Sequence, residues 1–112
     1  GLAPQDAVSA KAFVQLLTIM YRSSNADAWI ASLPVSGQSG TLKSLCPNTA
    51  LEGRIHAKSG TIAGTKNFAG YIDAPNGDTW VFAILINSAP AKARNIQTVI
   101  QQYLLDVYKQ HQ

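Results

Sequence analysis

Four consecutive residues, Lys58-Ser59-Gly60-Thr61, place a cation, two hydroxyls and a bare stretch of backbone side by side. In an extended segment, side chains alternate between faces. Lys58 then points one way, Ser59 and Thr61 the other, and Gly60 leaves the backbone open between them. Such a strand edge offers a fixed positive charge, hydroxyl donors and unshielded N–H groups, a set that suits an anionic or carbonyl-bearing ligand. An ordinary strand with a glycine near its end accounts for the same spacing, and a Lys-[Ser/Thr]-Gly tripeptide arises by chance in about one chain in twenty of this length. What surrounds the four residues therefore carries the weight.

The segment 53–60 reads as a strand that delivers the motif. Two more strands follow, Phe68-Ala69-Gly70-Tyr71-Ile72 and 79–86. The latter is apolar almost throughout and is expected to be central in the sheet. Pro75-Asn76-Gly77-Asp78 between them is a hairpin turn. Lys66 and Asn67, just after the motif loop, either line the pocket or form a solvated turn, with the turn favoured, and Asn87-Ser88-Ala89-Pro90 breaks the pattern. Residues 91–109 form a helix with an apolar stripe at Ile96, Val99, Ile100, Tyr103, Leu104 and Val107.

Upstream, 5–21 is a helix with Val8, Ala12, Phe13, Leu16, Leu17, Ile19 and Met20 near helical period, and Pro4 suits its entry. A short helix over 26–33 has Asn25 as its cap and Trp29, Ile30 and Leu33 inward, and Pro34 ends it. Val35 to Thr41 is loop, with Gly37 and Gly40 free to take positive φ. Thr41 to Leu45 adds one more turn of helix. The fold class is α+β: an antiparallel sheet, three strands in this chain, with helices packed on it. The helices have enough apolar surface for one face, and the sheet looks short of neighbours at its edges.

Composition narrows the partners. At 112 residues the chain is one domain or part of one, with 46% apolar residues, so it has a core to build. A net charge of +3 rests on nine Lys or Arg against six acids, scattered along the chain, which argues against nucleic acid. The single cysteine, Cys46, rules out an internal disulfide and reads as a small buried filler. No long apolar run marks a membrane span. Gly1-Leu2-Ala3-Pro4 carries no initiator methionine and runs almost directly into a helix, so the chain is expected to be a segment of a longer one.

Other chemistries fit poorly. His56, His111 and Cys46 have no metal-ligand spacing, and no cofactor is implied. A Ser-His-Asp triad through His56 is available by composition only. Ser36-Gly37-Gln38-Ser39-Gly40 lacks both the lysine and the preceding strand of a phosphate loop. Six dispersed acids do not suggest a carboxylate pair.

Gly40-Thr41-Leu42, then Gly53-Arg54-Ile55-His56-Ala57-Lys58-Ser59-Gly60-Thr61-Ile62-Ala63-Gly64, then Phe68-Ala69-Gly70-Tyr71 resemble the C-terminal part of the penicillin-binding-protein-4-type D-alanyl-D-alanine carboxypeptidases and endopeptidases. The resemblance runs over nearly all of 1–112 and implies the C-terminal portion of one penicillin-binding, transpeptidase-like domain, related in fold to the β-lactamases. It implies an active-site serine enzyme of the bacterial periplasm or outer envelope face, with Ser-x-x-Lys, a middle Ser/Asn motif and Lys-[Ser/Thr]-Gly. Carried over by position, Lys58 is the third-motif lysine, which steadies proton movement and attracts the substrate carboxylate. Ser59 and Thr61 hydrogen-bond that carboxylate, the Thr61 N–H forms half of an oxyanion hole, and Gly60 keeps the strand open to a peptidoglycan stem peptide or a β-lactam.

The departures matter. Ser39-Gly40-Thr41-Leu42 and Ser44-Leu45-Cys46-Pro47 lack the lysine, and Ser9-Ala10-Lys11 is one residue short. Where the family shows its middle motif, this chain has Ala3-Pro4-Gln5-Asp6. The expectation is that these residues supply a substrate-facing wall to a nucleophile carried elsewhere, and that the chain docks on a missing N-terminal part or on itself through strand edges. The alternatives are a non-catalytic peptide-binding relative and an unrelated α+β interaction domain.

Overall fold

The computed structural model describes residues 4–62, 65–87 and 93–110. Helix α1 spans Pro4–Tyr21, α2 Ala26–Ala31 and α3 Ala93–Gln110, a 3₁₀ turn covers Gly40–Leu42, and the strands are β1 Ile55–Ile62, β2 Thr65–Asp73 and β3 Thr79–Asn87. The sheet is an antiparallel meander in the order β1-β2-β3. The expected α+β class holds. The hairpin turn also holds: the Asp78 N–H donates to Asn76 Oδ1 at 3.0 Å, the Ala74 N–H donates to Asp78 O at 2.8 Å, and Gly77 takes φ +91°.

Two expectations about the sheet are corrected. β2, not the apolar β3, is central, because consecutive hairpins leave the last strand at the margin. The helices also cover both faces rather than one. On one face Ile55, Ala57, Phe68 and Ile72 meet Leu104 and Tyr108 of α3 and Leu42, Leu45, Cys46 and Leu51 of the middle segment, with Trp80, Phe82 and Ile84 packed alongside. On the other, Ala69 and Tyr71 meet Leu17 of α1 and Leu33, with Phe13, Trp29, Ile30, Val81 and Ala83 around them. β3 is apolar throughout because it is covered twice, which periodicity cannot distinguish from being central.

Tyr71 locks the second face. Its ring is 1% exposed, its hydroxyl donates to Leu17 O at 2.6 Å and accepts from Trp29 Nε1 at 2.9 Å. One side chain of the central strand thus satisfies its polar tip while tying α1 and α2 to the sheet. Burial pushes its phenol above the ordinary value, the Trp29 N–H opposes that rise, and Tyr21 adds to it.

Smaller departures follow from local geometry. β1 starts at Ile55 because Gly53 takes φ +78°, outside strand space. Gly37 and Gly40 adopt the positive φ expected of them. The extra turn after Thr41 is 3₁₀ and begins at Gly40. Asn25 occupies the cap position of α2 but makes no side-chain cap bond. On α3 the inward stripe is Ile100, Leu104, Leu105 and Tyr108, while Val99 and Tyr103 are exposed. The break at 88–90, the turn at 63–64 and His111 lie outside the described residues. Cys46 is buried as expected, its N–H donates to Gln101 Oε1 at 2.6 Å, and burial raises its thiol pKa.

The irregular middle segment is fastened to β1 at Ser36, which is fully buried. The Ser36 N–H donates to Ile55 O at 2.9 Å and its Oγ donates to Leu51 O at 2.6 Å. The same Oγ accepts the Ile55 N–H at 3.1 Å, and Ser36 O accepts the Gly53 N–H at 2.8 Å. Ser36→Ala removes the hydroxyl and leaves the Leu51 carbonyl and the Ile55 N–H without their partner, at about 1–3 kcal/mol for each buried group. The variant is predicted to unfold at a clearly lower denaturant concentration than the parent sequence. An unchanged midpoint in chemical unfolding would show that the hydroxyl is dispensable.

Candidate functional site

β1 is an edge strand, and its outer side has two parts. The Ile55 carbonyl accepts from Ser36, and the Ala57 N–H donates to Pro34 O at 3.1 Å, while Arg54 O takes the Asp73 N–H from β2's end at 2.8 Å. Odd-numbered residues of β1 therefore turn their backbone polar groups away from β2, and even-numbered ones bond to it. The segment 34–36 covers the first part of this outer side, with Val35 bridged to His56. Beyond it, the same alternation sends the N–H and C=O groups of Ser59 and Thr61 outward. Among the described residues no strand pairs with them.

The side chains expected to form the site gather along this open stretch. Lys58 is exposed and its Nζ donates to Ser59 O at 2.7 Å, which brings the ammonium to the open edge. Ser59 lies on the opposite face from Lys58 and its Oγ donates to Thr41 Oγ1 at 3.2 Å. Gly60 sits opposite Asn67. A Cβ at Gly60 would lie 3.2 Å from Asn67 Oδ1, so the missing side chain leaves room that the amide partly borders. Thr61 is placed in β1 opposite Lys66 with its N–H on the open edge, and its hydroxyl lies outside the described residues.

Thr41 enters the site unassigned by spacing, and Asn67 enters it by the less favoured of its two readings. Thr41 was visible only as the middle of Gly40-Thr41-Leu42, with no role attached. For Asn67 the favoured turn is corrected: β2 begins at Thr65, so Asn67 is a strand residue facing Gly60, beside the motif. Lys and Asn are poor strand formers, and pairing on both sides overrides that preference.

His56 shares Lys58's face and its Nε2 lies 3.1 Å from Asp73 Oδ2. The Ser59 hydroxyl belongs to the other face and donates to Thr41, so it does not join the pair. Among the described residues, no three of His, Cys, Asp and Glu come together to hold a metal. No helix among them is long and apolar enough to cross a membrane. Chemically, the edge can bind an extended chain by backbone bonds, hold an anionic group with a cation and hydroxyls, and donate an N–H to a developing oxyanion.

The chain is similar to known proteins in sequence and in fold. The model of the D-Ala-D-Ala carboxypeptidase 3 (S13) family matches residues 1–107. The D-alanyl-D-alanine carboxypeptidase of Actinomadura sp. (strain R39) is 39% identical over 98 residues, covering 81% of this chain and 18% of that protein. The penicillin-sensitive carboxypeptidase A of Dictyostelium discoideum is 29% identical over 113 residues, covering 94% of this chain and 22% of that protein. The crystal structure of penicillin binding protein 4 (dacB) from Haemophilus influenzae superposes with a TM-score of 0.72 at 21% identity, and its complex with a novel β-lactam with 0.73 at 16%. Each superposition covers 88% of this chain, and 24% and 25% of those chains. At those identities the likeness is one of fold. The chain spans about a fifth of the length of the curated relatives it matches.

Proposed function

The chain belongs to the D-Ala-D-Ala carboxypeptidase 3 (S13) family, and from that premise we propose that residues 1–112 are the C-terminal portion of one penicillin-binding, transpeptidase-like domain. The parent protein is a serine-type D-Ala-D-Ala carboxypeptidase or endopeptidase, and this portion is its substrate-binding strand. The observation that carries the reading is the open edge of β1, where the Thr61 N–H faces outward beside the Lys58 ammonium and the Ser59 hydroxyl.

In this reading a peptidoglycan stem peptide lies along the edge as an added strand, and Gly60 admits it. The terminal carboxylate meets Lys58, Ser59 and Thr61. A serine on the rest of the parent attacks the penultimate D-Ala carbonyl, and the oxyanion accepts the Thr61 N–H as one of its two donors. The intermediate collapses, the C–N bond breaks, the departing nitrogen takes a proton and D-alanine leaves. Water then hydrolyses the acyl-enzyme and frees the serine. A β-lactam acylates the same serine by ring opening. Lys58 and Thr61 hold the catalytic roles, and Lys58, Ser59, Gly60 and Thr61 bind substrate. The substrate places the parent in the periplasm or on the outer face of the cell envelope.

The 112 residues contain no Ser-x-x-Lys, so the chain alone does not acylate. β3 also ends the sheet with its odd-numbered backbone groups unpaired among the described residues, an edge suited to a strand from the parent's remainder.

A labelled penicillin separates the readings. The full-length parent is predicted to be labelled covalently, with the rate falling about a hundredfold or more in Lys58→Ala. Reversible binding without a covalent adduct would move the case to the binding module, and no binding at all would remove both. Sedimentation tests the edge: the isolated 112 residues are expected to associate at high concentration, and a stable, monodisperse monomer would contradict the docking proposal.

A further inference from the structure

The hydroxyl that meets Ser59 comes from a segment built to hold it still. Thr41 is the middle residue of the 3₁₀ turn Gly40–Leu42. On its C-terminal side Leu42 is buried in the core under α3, and the Leu42 carbonyl accepts the Gly37 N–H at 2.9 Å. On its N-terminal side the Leu42 N–H donates to Ser39 O at 3.2 Å, and Ser39 Oγ accepts the Val35 N–H at 3.0 Å. Gly40 takes φ +58°, and a Cβ there would lie 3.0 Å from Pro34 Cγ, so the turn sits hard against the segment that covers β1. Ser36, one residue beyond the Val35–His56 bridge, completes the attachment. The backbone that carries Thr41 is therefore held by bonds on both sides, and its hydroxyl meets Ser59 at an exposed position.

Two hydroxyls 3.2 Å apart share one hydrogen bond whose direction can reverse. With the edge empty, Ser59 donates to Thr41. An anion beside Ser59 demands a donor, and the pair can supply one without losing its own bond if Thr41 donates to Ser59 and Ser59 donates outward. Successive donors polarise one another, so the outward bond is stronger than that of an isolated hydroxyl.

We propose that Thr41 is a positioning residue for the carboxylate end of the ligand: it holds the Ser59 hydroxyl and, on binding, donates to it so that Ser59 donates to the carboxylate. The inference rests on the acyl-transfer reading above and adds to it a residue that does not touch the reacting atoms. It requires that Thr41 act through recognition of negative charge and not through the bond-breaking step.

The test uses the full-length parent and two acylating probes, benzylpenicillin, which carries a carboxylate, and its methyl ester, which does not. Thr41→Val keeps the shape and removes the hydroxyl, and Thr41→Ser keeps the hydroxyl. Thr41→Val is expected to lower the second-order acylation rate with benzylpenicillin about tenfold, through weaker binding with the saturating rate unchanged. The methyl ester should acylate wild type and Thr41→Val within about twofold of each other, and Thr41→Ser should keep the wild-type rate with both probes. Equal rates for wild type and Thr41→Val with benzylpenicillin would overturn the proposal. So would an equal loss with both probes, or a Thr41→Ser variant as slow as Thr41→Val, since these mark a packing role. A wild-type parent that neither probe acylates overturns the acyl-transfer reading, and this inference with it. A normally acylated wild type with an unaffected Thr41→Val overturns this inference alone.

Discussion

The site depends on how one buried serine fastens an irregular segment to an edge strand. Ser36 uses its N–H, its carbonyl and both capacities of its hydroxyl within the span Leu51 to Ile55. Those bonds hold the segment 34–36 over the first part of β1's outer side. They stop the cover at the start of the strand, so the groups of Ser59 and Thr61 stay open. They also carry the 3₁₀ turn that sets Thr41 against Ser59. A buried polar network of this kind is stabilising because every member is satisfied, and no buried side-chain N or O among the described residues lacks a partner.

An edge strand left open along part of its outer side needs support from elsewhere, and the central strand provides it. Gly70 is paired with Ala57, and a Cβ at Gly70 would fall on the His56 carbonyl and within 2.6 Å of the Ala57 Cα. The absent side chain lets β1 close in on β2. Tyr71, beside it, ties α1 and α2 to the opposite face. β1 is thus held along its inner side and at its start, while among the described residues no strand pairs with the rest of its outer side. Rigid elements with an open, preorganised edge are what substrate positioning requires.

Much of this was legible in the sequence, for physical reasons. Lys58-Ser59-Gly60-Thr61 sits in a strand because the flanking residues alternate and turns bracket them. The Asn76-Gly77 turn and α3 announce themselves through φ preference and helical period. The centre of the sheet was misjudged because an apolar run such as Val81 to Ile86 reports cover on both faces and says nothing of its neighbours. Ser36 and Thr41 were invisible as functional parts, since a serine in a Ser/Gly loop and a threonine beside a glycine carry no periodic signal. Their roles come from contacts with Leu51, Ile55 and Ser59, up to 19 residues away. For Asn67 the turn reading fails because strand pairing overrides local preference, while its place beside the motif was legible from the spacing.

The central claim is that the outer edge of β1 receives the acyl group, with the Thr61 N–H as an oxyanion donor. A crystal structure of the full-length parent carrying a covalently bound β-lactam tests it most directly. The acyl carbonyl oxygen is expected about 2.7–3.1 Å from the Thr61 backbone nitrogen, with the ligand carboxylate at Ser59. An acyl carbonyl directed away from β1, with the Thr61 N–H bonded elsewhere, would contradict it.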